Sequence, residues 1–461
     1  MTLLLGNSPR PRPRLVFRGF EDEDEDEQEP ALAAICNRVK LHPSLCHYHR
    51  TACATQQILF QFRINIIVIG GGPAGLRAAE IAKAGGAAVT LFDAKPSVGR
   101  KLLVAGRGGL NLTHAEPLEK FSTRYTGSGQ PENIWAELLA EFDATALRQW
   151  AAELGVETFA ATSGRVYPRE LKAAPLLRNW VRRLRVSGVK FALRHRWTGL
   201  RRDAHWQVDF QTGDEARTAP ADAVILALGG GSWPQTGSDG AWISVLKNLG
   251  VAISPLVASN CGWEISWPPG VHAIAGQPLK NVTVRAGETT VAGELLVTDY
   301  GLEGGAIYQL GPALRAMAEP EIAIDFKPAH SVEQLVKKLG NCPRNFLAEA
   351  RSRWRLSDAA FAILENYQPF ASGEALATTT KNFRLQLTGP RPLAEAISSA
   401  GGVRWSELDA ALMVKRLPGI FVAGEMLDWD APTGGYLMQG CFATATRAAS
   451  GALKWLQTES R

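Results

Sequence analysis

The stretch Ile64–Leu76, INIIVIGGGPAGL, constrains this chain more than any other. Ile64, Ile66, Ile67, Val68 and Ile69 form a short apolar run of the kind buried in a parallel sheet. Gly70, Gly72 and Gly75 follow in G-x-G-x-x-G spacing, and the Ala-rich segment Ala78–Ala84 has good helix propensity. Each glycine does something mechanical. Gly70 allows a tight turn, Gly72 the close approach of a pyrophosphate, and Gly75 close helix–strand packing. The helix start offers free N–H groups and a positive dipole end to that phosphate. A second apolar run, Ala88–Phe92, ends at Asp93. That carboxylate stands roughly twenty residues beyond the glycines, where a dinucleotide ribose needs an acceptor. The spacing therefore predicts a dinucleotide site on a parallel α/β sheet.

Size and charge narrow the class. With 461 residues the chain suits two or three domains, and 46% hydrophobic content gives ample core. No apolar run approaches the ~20 residues of a membrane span. The net charge of +5 is modest and scattered through amphipathic segments such as Arg178–Arg185, which argues against nucleic-acid binding. Six cysteines without a C-x-x-C pair argue against a disulfide framework and fit a reducing, cytoplasmic setting. Residues 1–63 differ from the rest: Arg10, Arg12 and Arg14 alternate with prolines, and Glu21–Glu27 is an acidic run. They read as a disordered extension, or an upstream stretch included through a mistaken start site. Cys36, Cys46, His47, His49 and Cys53 match no tetrahedral spacing, so no metal is expected.

After Asp93 comes a loop dense in glycine and positive charge, from Gly99-Arg100-Lys101 through Arg107 to Asn111 and His114. Basic groups with bare backbone N–H groups suit a phosphate or an electron-rich ring edge. Helices are expected over Glu132–Leu154 and Leu171–Val186. A three-stranded antiparallel meander is expected from Val189–Arg194, His205–Phe210 and Arg217–Ala219. The run Ala223–Leu228 is a buried strand that enters Gly229-Gly230-Gly231, with a helix over Asp239–Leu249 beyond. From Ser254 alternating segments with Gly and Pro between them suggest an inserted antiparallel sheet or barrel, and Val332–Leu364 reads as helical. Gly419–Glu425 restores a buried strand, and Thr433-Gly434-Gly435-Tyr436 opens a helix through Ala449.

Three strand–glycine turns, at Gly70–Gly75, Gly229–Gly231 and Gly424–Glu425, can converge at the carboxyl edge of one sheet. A ligand as long as FAD uses all three, with its ring at the last helix start.

The ordered motifs GGGPAGL, GRKLLVAGRGGLNLTH, GRVYP, ALGGGSWPQTGSDG, SSAGGV and AGEMLDWDAPTGGYLMQG resemble those of one family. It is the bacterial NAD(P)/FAD-dependent flavoproteins that include aminoacetone oxidase-like and bile-acid 3-dehydro-4,6-reductase-like members. The resemblance runs from Ile64 to the end. It implies a glutathione-reductase-type, Rossmann-like FAD domain in two parts, residues 64–254 and 401–461. A β-barrel-like insert (255–330), a helical insert (331–369) and a return (370–400) would interrupt it. It further implies Gly70, Gly72, Pro73, Ala74 and Gly75 at the pyrophosphate, Asp93 at the adenosine ribose, and Arg100, Lys101, Arg107 and Asn111 along the cofactor path. Gly424, Glu425 and Asp428 would meet the ribityl chain, and Gly434, Gly435 and Tyr436 the ring, although Tyr436 equally suits packing at a helix start. Two elements depart from the reductase-type pattern: Thr298–Gly305 and Gly108-Gly109-Leu110-Asn111. A relative's substrate is therefore not carried over.

The function expected is an FAD-dependent oxidoreductase that moves a hydride through flavin N5 between a small organic substrate and NAD(P)H or O₂. No second G-x-G-x-x-G follows a strand, so NAD(P)H would be a transient donor. No catalytic acid or base is assigned; Tyr300, Glu303 and His114 are candidates by expected proximity. The rival expectation is a flavin-binding, RNA-associated or regulatory module.

Overall fold

A computed structural model describes residues 64–342 and 345–459, with Arg107 described through its backbone only. The expectations for residues 1–63, including the cysteine–histidine group, lie outside the described residues. Five strands form a parallel sheet: β1 (Asn65–Ile69), β2 (Ala88–Asp93), β3 (Lys190–Leu193), β4 (Ala223–Leu226) and β5 (Ile420–Val422). Their order is β5-β4-β1-β2-β3, with Ile67 opposite Thr90 on one side and Val224 on the other. The order reverses between β1 and β4, which opens a crevice beyond the carboxyl ends of those strands. Ile66–Ile69 are at most 1% exposed, as an apolar run covered on both faces requires.

Helix α1 (Pro73–Ala84) and the C-terminal helix α2 (Tyr436–Glu459) pack along each other over the sheet. Alanines fill their contact faces, Ala78, Ala79 and Ala82 on α1 and Ala445, Ala448 and Ala452 on α2, all fully buried. Small side chains let the axes approach. Gly75 brings α1 equally close to the turn after β1, since a Cβ there would lie 1.7 Å from the Gly70 carbonyl oxygen.

The antiparallel meander exists but is shifted. Its strands are Arg196–Arg202, Trp206–Thr212 and Glu215–Ala221, whereas the expected first strand is β3, paired in parallel with β2. An edge strand of a parallel sheet is half covered, so β3 carries the same alternation as a meander strand. Three arginines mask the strand Arg196–Arg202, whose Trp197 and Leu200 are buried.

The middle of the chain builds a second core. Seven strands lie in the order Phe383–Gln386, Glu321–Asp325, Pro278–Ala286, Thr289–Val297, Gly301–Glu303, Trp263–Glu264 and Gly389–Pro390. The segment 383–391 bonds to both edges: Leu387 N–H donates to Pro320 O at 2.8 Å and Thr388 N–H to Glu264 O at 2.9 Å. That bridging draws the sheet round on itself. Helices Val332–Leu339, Phe346–Arg353, Asp358–Glu365 and Gly373–Lys381 pack below it, and Gly305–Arg315 lies on the strand Thr289–Val297. The last two were not foreseen; Pro312 and the glycines around it hide the helix Gly305–Arg315. The antiparallel pair Ile253–Ser259 and Ser398–Val403 joins the outgoing and returning chain. Among the described residues no helix is long and apolar enough to cross a membrane.

Candidate functional site

The glycine turn after β1 is held from beneath. Gly70 N–H donates to Phe92 O at 2.8 Å, and the Asp93 carboxylate accepts from Gly71 N–H and Lys95 N–H, both at 2.7 Å. Each Asp93 oxygen keeps a second lone pair for a ligand hydroxyl. Burial pushes this carboxyl up from its ordinary value, against those two N–H bonds and the charges of Arg100 and Lys95. Helix α1 starts at Gly72 without a side-chain cap, which leaves its first N–H groups for a ligand. A Cβ on Gly72 would meet nothing within 4 Å. The turn is built as a cradle.

Gly70, Gly72, Pro73 and Ala74 line one wall of a cleft, with Asp93, Arg100 and Lys101 beside them. Gly229 after β4 and Gly424 and Glu425 after β5 line the other. The three strand–glycine turns therefore do meet. Ser238 also lines this cleft, and its Oγ is buried without a partner. The Cys441 thiol lies nearby, pushed up by burial and then by the Glu425 charge, and so is no ready nucleophile.

A second cleft lies beside the first, with Lys101 lining both. Leu110, Trp233, Ile397, Leu437 and Met438 make it apolar; Asn111, Thr433, Gly434 and Gly435 contribute its polar and backbone groups. Asn111 Oδ1 is buried without a partner. Gly435 has φ +108°, and a Cβ there would fall 2.4 Å from Thr113 O, so only glycine fits where the chain enters α2. Trp233 sits in the left-handed region at φ 57°, strained for an aromatic residue, and is locked there by Thr236 Oγ1 donating to its carbonyl at 2.7 Å. At the junction Lys101 Nζ donates to Glu425 Oε2 at 2.9 Å and Ser232 Oγ at 2.7 Å.

Gly75, expected both to allow close packing and to lie at the pyrophosphate, sits against the Gly70 carbonyl and lines neither cleft. The Arg107 side chain is outside the described residues. Asp428, expected at the ribityl chain, is buried with Oδ2 accepting from Ser254 Oγ at 2.6 Å and lines neither cleft. Tyr436, expected at the ring, is 5% exposed and donates to Glu116 Oε1 at 2.6 Å. The Gly434–Gly435 turn sends its side chain behind the cleft wall, where its ring stacks on His114. His114 uses both ring nitrogens, with Ser163 O at 3.0 Å and Glu116 N–H at 3.2 Å. Tyr300 hydrogen-bonds Glu303 in the insert, under the Arg391 guanidinium, and neither lines either of these two clefts. Conversely, Trp233 and Ser238 line these clefts from within the motif ALGGGSWPQTGSDG, whose spacing alone gives neither a role.

The pieces fit an extended dinucleotide such as FAD: a phosphate cradle at Gly72, lone pairs on Asp93, orphaned oxygens at Ser238 and Asn111, and an apolar slot at the far end.

Known proteins resemble this chain along most of its length. The 3-dehydro-bile acid delta(4,6)-reductase of Clostridium scindens is 29% identical over 84% of this chain and 99% of its own. The ribosomal RNA dihydrouridine synthase of Escherichia coli is 23% identical over 84% and 97%. Among solved structures, the 3-ketosteroid-delta4-(5alpha)-dehydrogenase of Rhodococcus jostii superposes with a TM-score of 0.48 at 15% identity, covering 86% of this chain and 98% of that one. The description HI0933-like protein Rossmann domain matches residues 64–451, from the first strand of the glycine turn to deep within α2. The chain belongs to the HI0933-like family.

Proposed function

We propose that this protein is an FAD-dependent oxidoreductase acting on a small organic substrate, with NAD(P)H or O₂ as the second redox partner. The observation that carries the reading is that Lys101 lines both clefts, which sets the phosphate cradle at Gly72 beside the apolar slot at Gly435. FAD bound there would supply two-electron chemistry with hydride exchange at N5. The chain's part is binding and orientation. The α1 N-terminus holds the pyrophosphate, Asp93 accepts from the adenosine ribose, and Lys101–Glu425 occupies the bend between the clefts. The α2 N-terminus favours negative charge on the ring. Leu110, Trp233, Ile397 and Met438 exclude water from the slot. Lys101 is the one ionisable side chain lining the apolar cleft among the described residues, so proton transfer to substrate falls to Lys101 or to solvent.

Anaerobic titration of the purified full-length protein with NADH and then NADPH, following the flavin band, tests this reading. Bleaching by one of them names the donor. Bleaching only by an organic substrate, reversed by O₂, makes the protein an oxidase. A colourless protein that takes up no FAD on reconstitution overturns the proposal. A second reading, an FAD protein acting on RNA, draws support from the relative named for ribosomal RNA. It expects co-purifying RNA that is lost with a steep salt slope.

A further inference from the structure

We propose that a cationic cleft in the insert binds a linear polyphosphate, either the inorganic chain or the phosphate chain of a nucleotide. The cleft lies between the strand Pro278–Ala286, the loop 326–330 and the start of helix Asp358–Glu365. It shares no lining residue with the two clefts described above.

Charge sets this cleft apart. Lys280, Lys327, His330, Lys338, Arg353 and Arg355 all line it. Among the described residues only Arg353 of these has a carboxylate partner, Glu349 at 2.9 Å. The one acidic lining side chain, Asp358, is paired with Arg351 at 2.9 Å. The nearby Asp325 is taken by Lys381 at 2.5 Å. Asp325 and Asp358 are thus spent on cations outside the cleft, and Lys280, Lys327, Lys338 and Arg355 inside it have no carboxylate partner among the described residues. Lys327 Nζ is fixed 2.5 Å from the Arg355 carbonyl oxygen, and burial together with the Lys338 charge lowers its basicity. Lys338 Nζ lies 3.0 Å from His330 Nε2. Both ammoniums are thus held by neutral acceptors, which position them in the cleft and leave their charge to be met by an anion of several charges.

The chemistry selects phosphate over base. Phe326 and Trp354 are the aromatic lining residues, and both are buried, at 4% and 3% exposure. Neither indole nor phenyl ring offers an open face for the base stacking on which single-stranded nucleic-acid recognition relies. Recognition by charge alone suits a compact chain of phosphates.

Calorimetric titration of the FAD-loaded full-length protein with sodium tripolyphosphate is the test. Saturable binding is expected that weakens steeply between about 50 and 200 mM salt. The double variant Lys280→Ala/Lys338→Ala should bind about tenfold more weakly, given two lost charge-assisted contacts. Both lysines are exposed, so its flavin content and melting temperature should match the wild type. Tighter binding of ATP than of tripolyphosphate identifies a nucleotide; equal binding identifies the bare chain. The proposal is overturned by absence of saturable binding in the wild type, or by equal binding in the variant. It is also overturned if affinity for RNA exceeds that for tripolyphosphate and rises with RNA length.

Discussion

Lys101 Nζ stands 2.9 Å from Glu425 Oε2, tying the short helix Arg100–Ala105 to the turn after β5 across 324 residues of sequence. The pair sits where the phosphate and apolar clefts join, with the side chains only 25% and 12% exposed. Lys101→Met leaves the Glu425 carboxylate short of its cation and its charge-assisted bond, worth about 2 kcal/mol. That is a cost in stability; because both residues also line the phosphate cleft, FAD affinity should fall about tenfold as well. Fluorescence titration of the apoprotein checks this. The pair Lys101→Met/Glu425→Gln should lose less than the two single variants summed. Additive losses would mean that the residues act independently on the cofactor.

Gly72 and Gly75 separate binding from folding. A Cβ on Gly72 enters open space at a backbone φ of −79°, which any residue adopts. Gly72→Val should thus cost less than about 1 kcal/mol of stability as a helix-start substitution. Its side chain projects into the cradle, so the purified protein should be colourless. Gly75→Ala should behave oppositely, because its Cβ would collide with the Gly70 carbonyl at 1.7 Å. Destabilisation of about 3 kcal/mol or more is expected there. Absorbance ratios and thermal unfolding distinguish the two; stoichiometric FAD in Gly72→Val would end the pyrophosphate assignment.

The features visible in the sequence are those made by backbone. A strand buried on both faces needs an unbroken apolar run, and a turn against a ligand needs glycine, so β1, β4, β5 and their turns stand out. Side chains near those turns are less legible, because a distant partner decides which way they go. Asp428 is claimed by Ser254, 174 positions away, and Tyr436 by Glu116, 320 positions away. Nothing local distinguishes either from a cofactor ligand. The shifted meander has the same cause: β3 takes its partner from β2.

Glu116 gives Tyr436 a measurable role in acid stability. Burial raises this carboxyl, but bonds from Arg124 at 2.9 and 2.8 Å and from Tyr436 at 2.6 Å outweigh it and hold it below its ordinary value. A carboxyl lowered by folding stabilises fully above the unfolded value of about 4.3 and loses that contribution as pH falls through the lowered one. Glu116→Gln should flatten the fall of the melting temperature on acidification. Tyr436→Phe should reduce stability near neutrality by about 1 kcal/mol and leave flavin content unchanged. Loss of FAD at unchanged melting temperature would return Tyr436 to the ring.

Asp428 makes the opposite case, a carboxyl raised by folding. Burial is the largest cause, only partly offset by the Ser254 hydroxyl and the Arg404 charge. Its carbonyl accepts from Trp405 Nε1 at 2.7 Å, and its N–H donates to Val403 O at 3.0 Å. The residue therefore pins the turn after β5 to the strands joining the insert. A carboxyl raised in the folded state favours folding below its unfolded value and loses that advantage as pH rises through the folded one. At neutral pH Asp428→Asn removes a buried charge and keeps an acceptor for Ser254, so stability should change by less than about 1 kcal/mol. Asp428→Ala leaves Ser254 without its acceptor and should lose about 1–3 kcal/mol. Both should hold FAD as tightly as the wild type, whereas Glu425→Gln should not. Flavin titrations beside thermal unfolding decide it: FAD lost from Asp428→Asn at full stability would mean that the carboxylate reaches the cofactor after all.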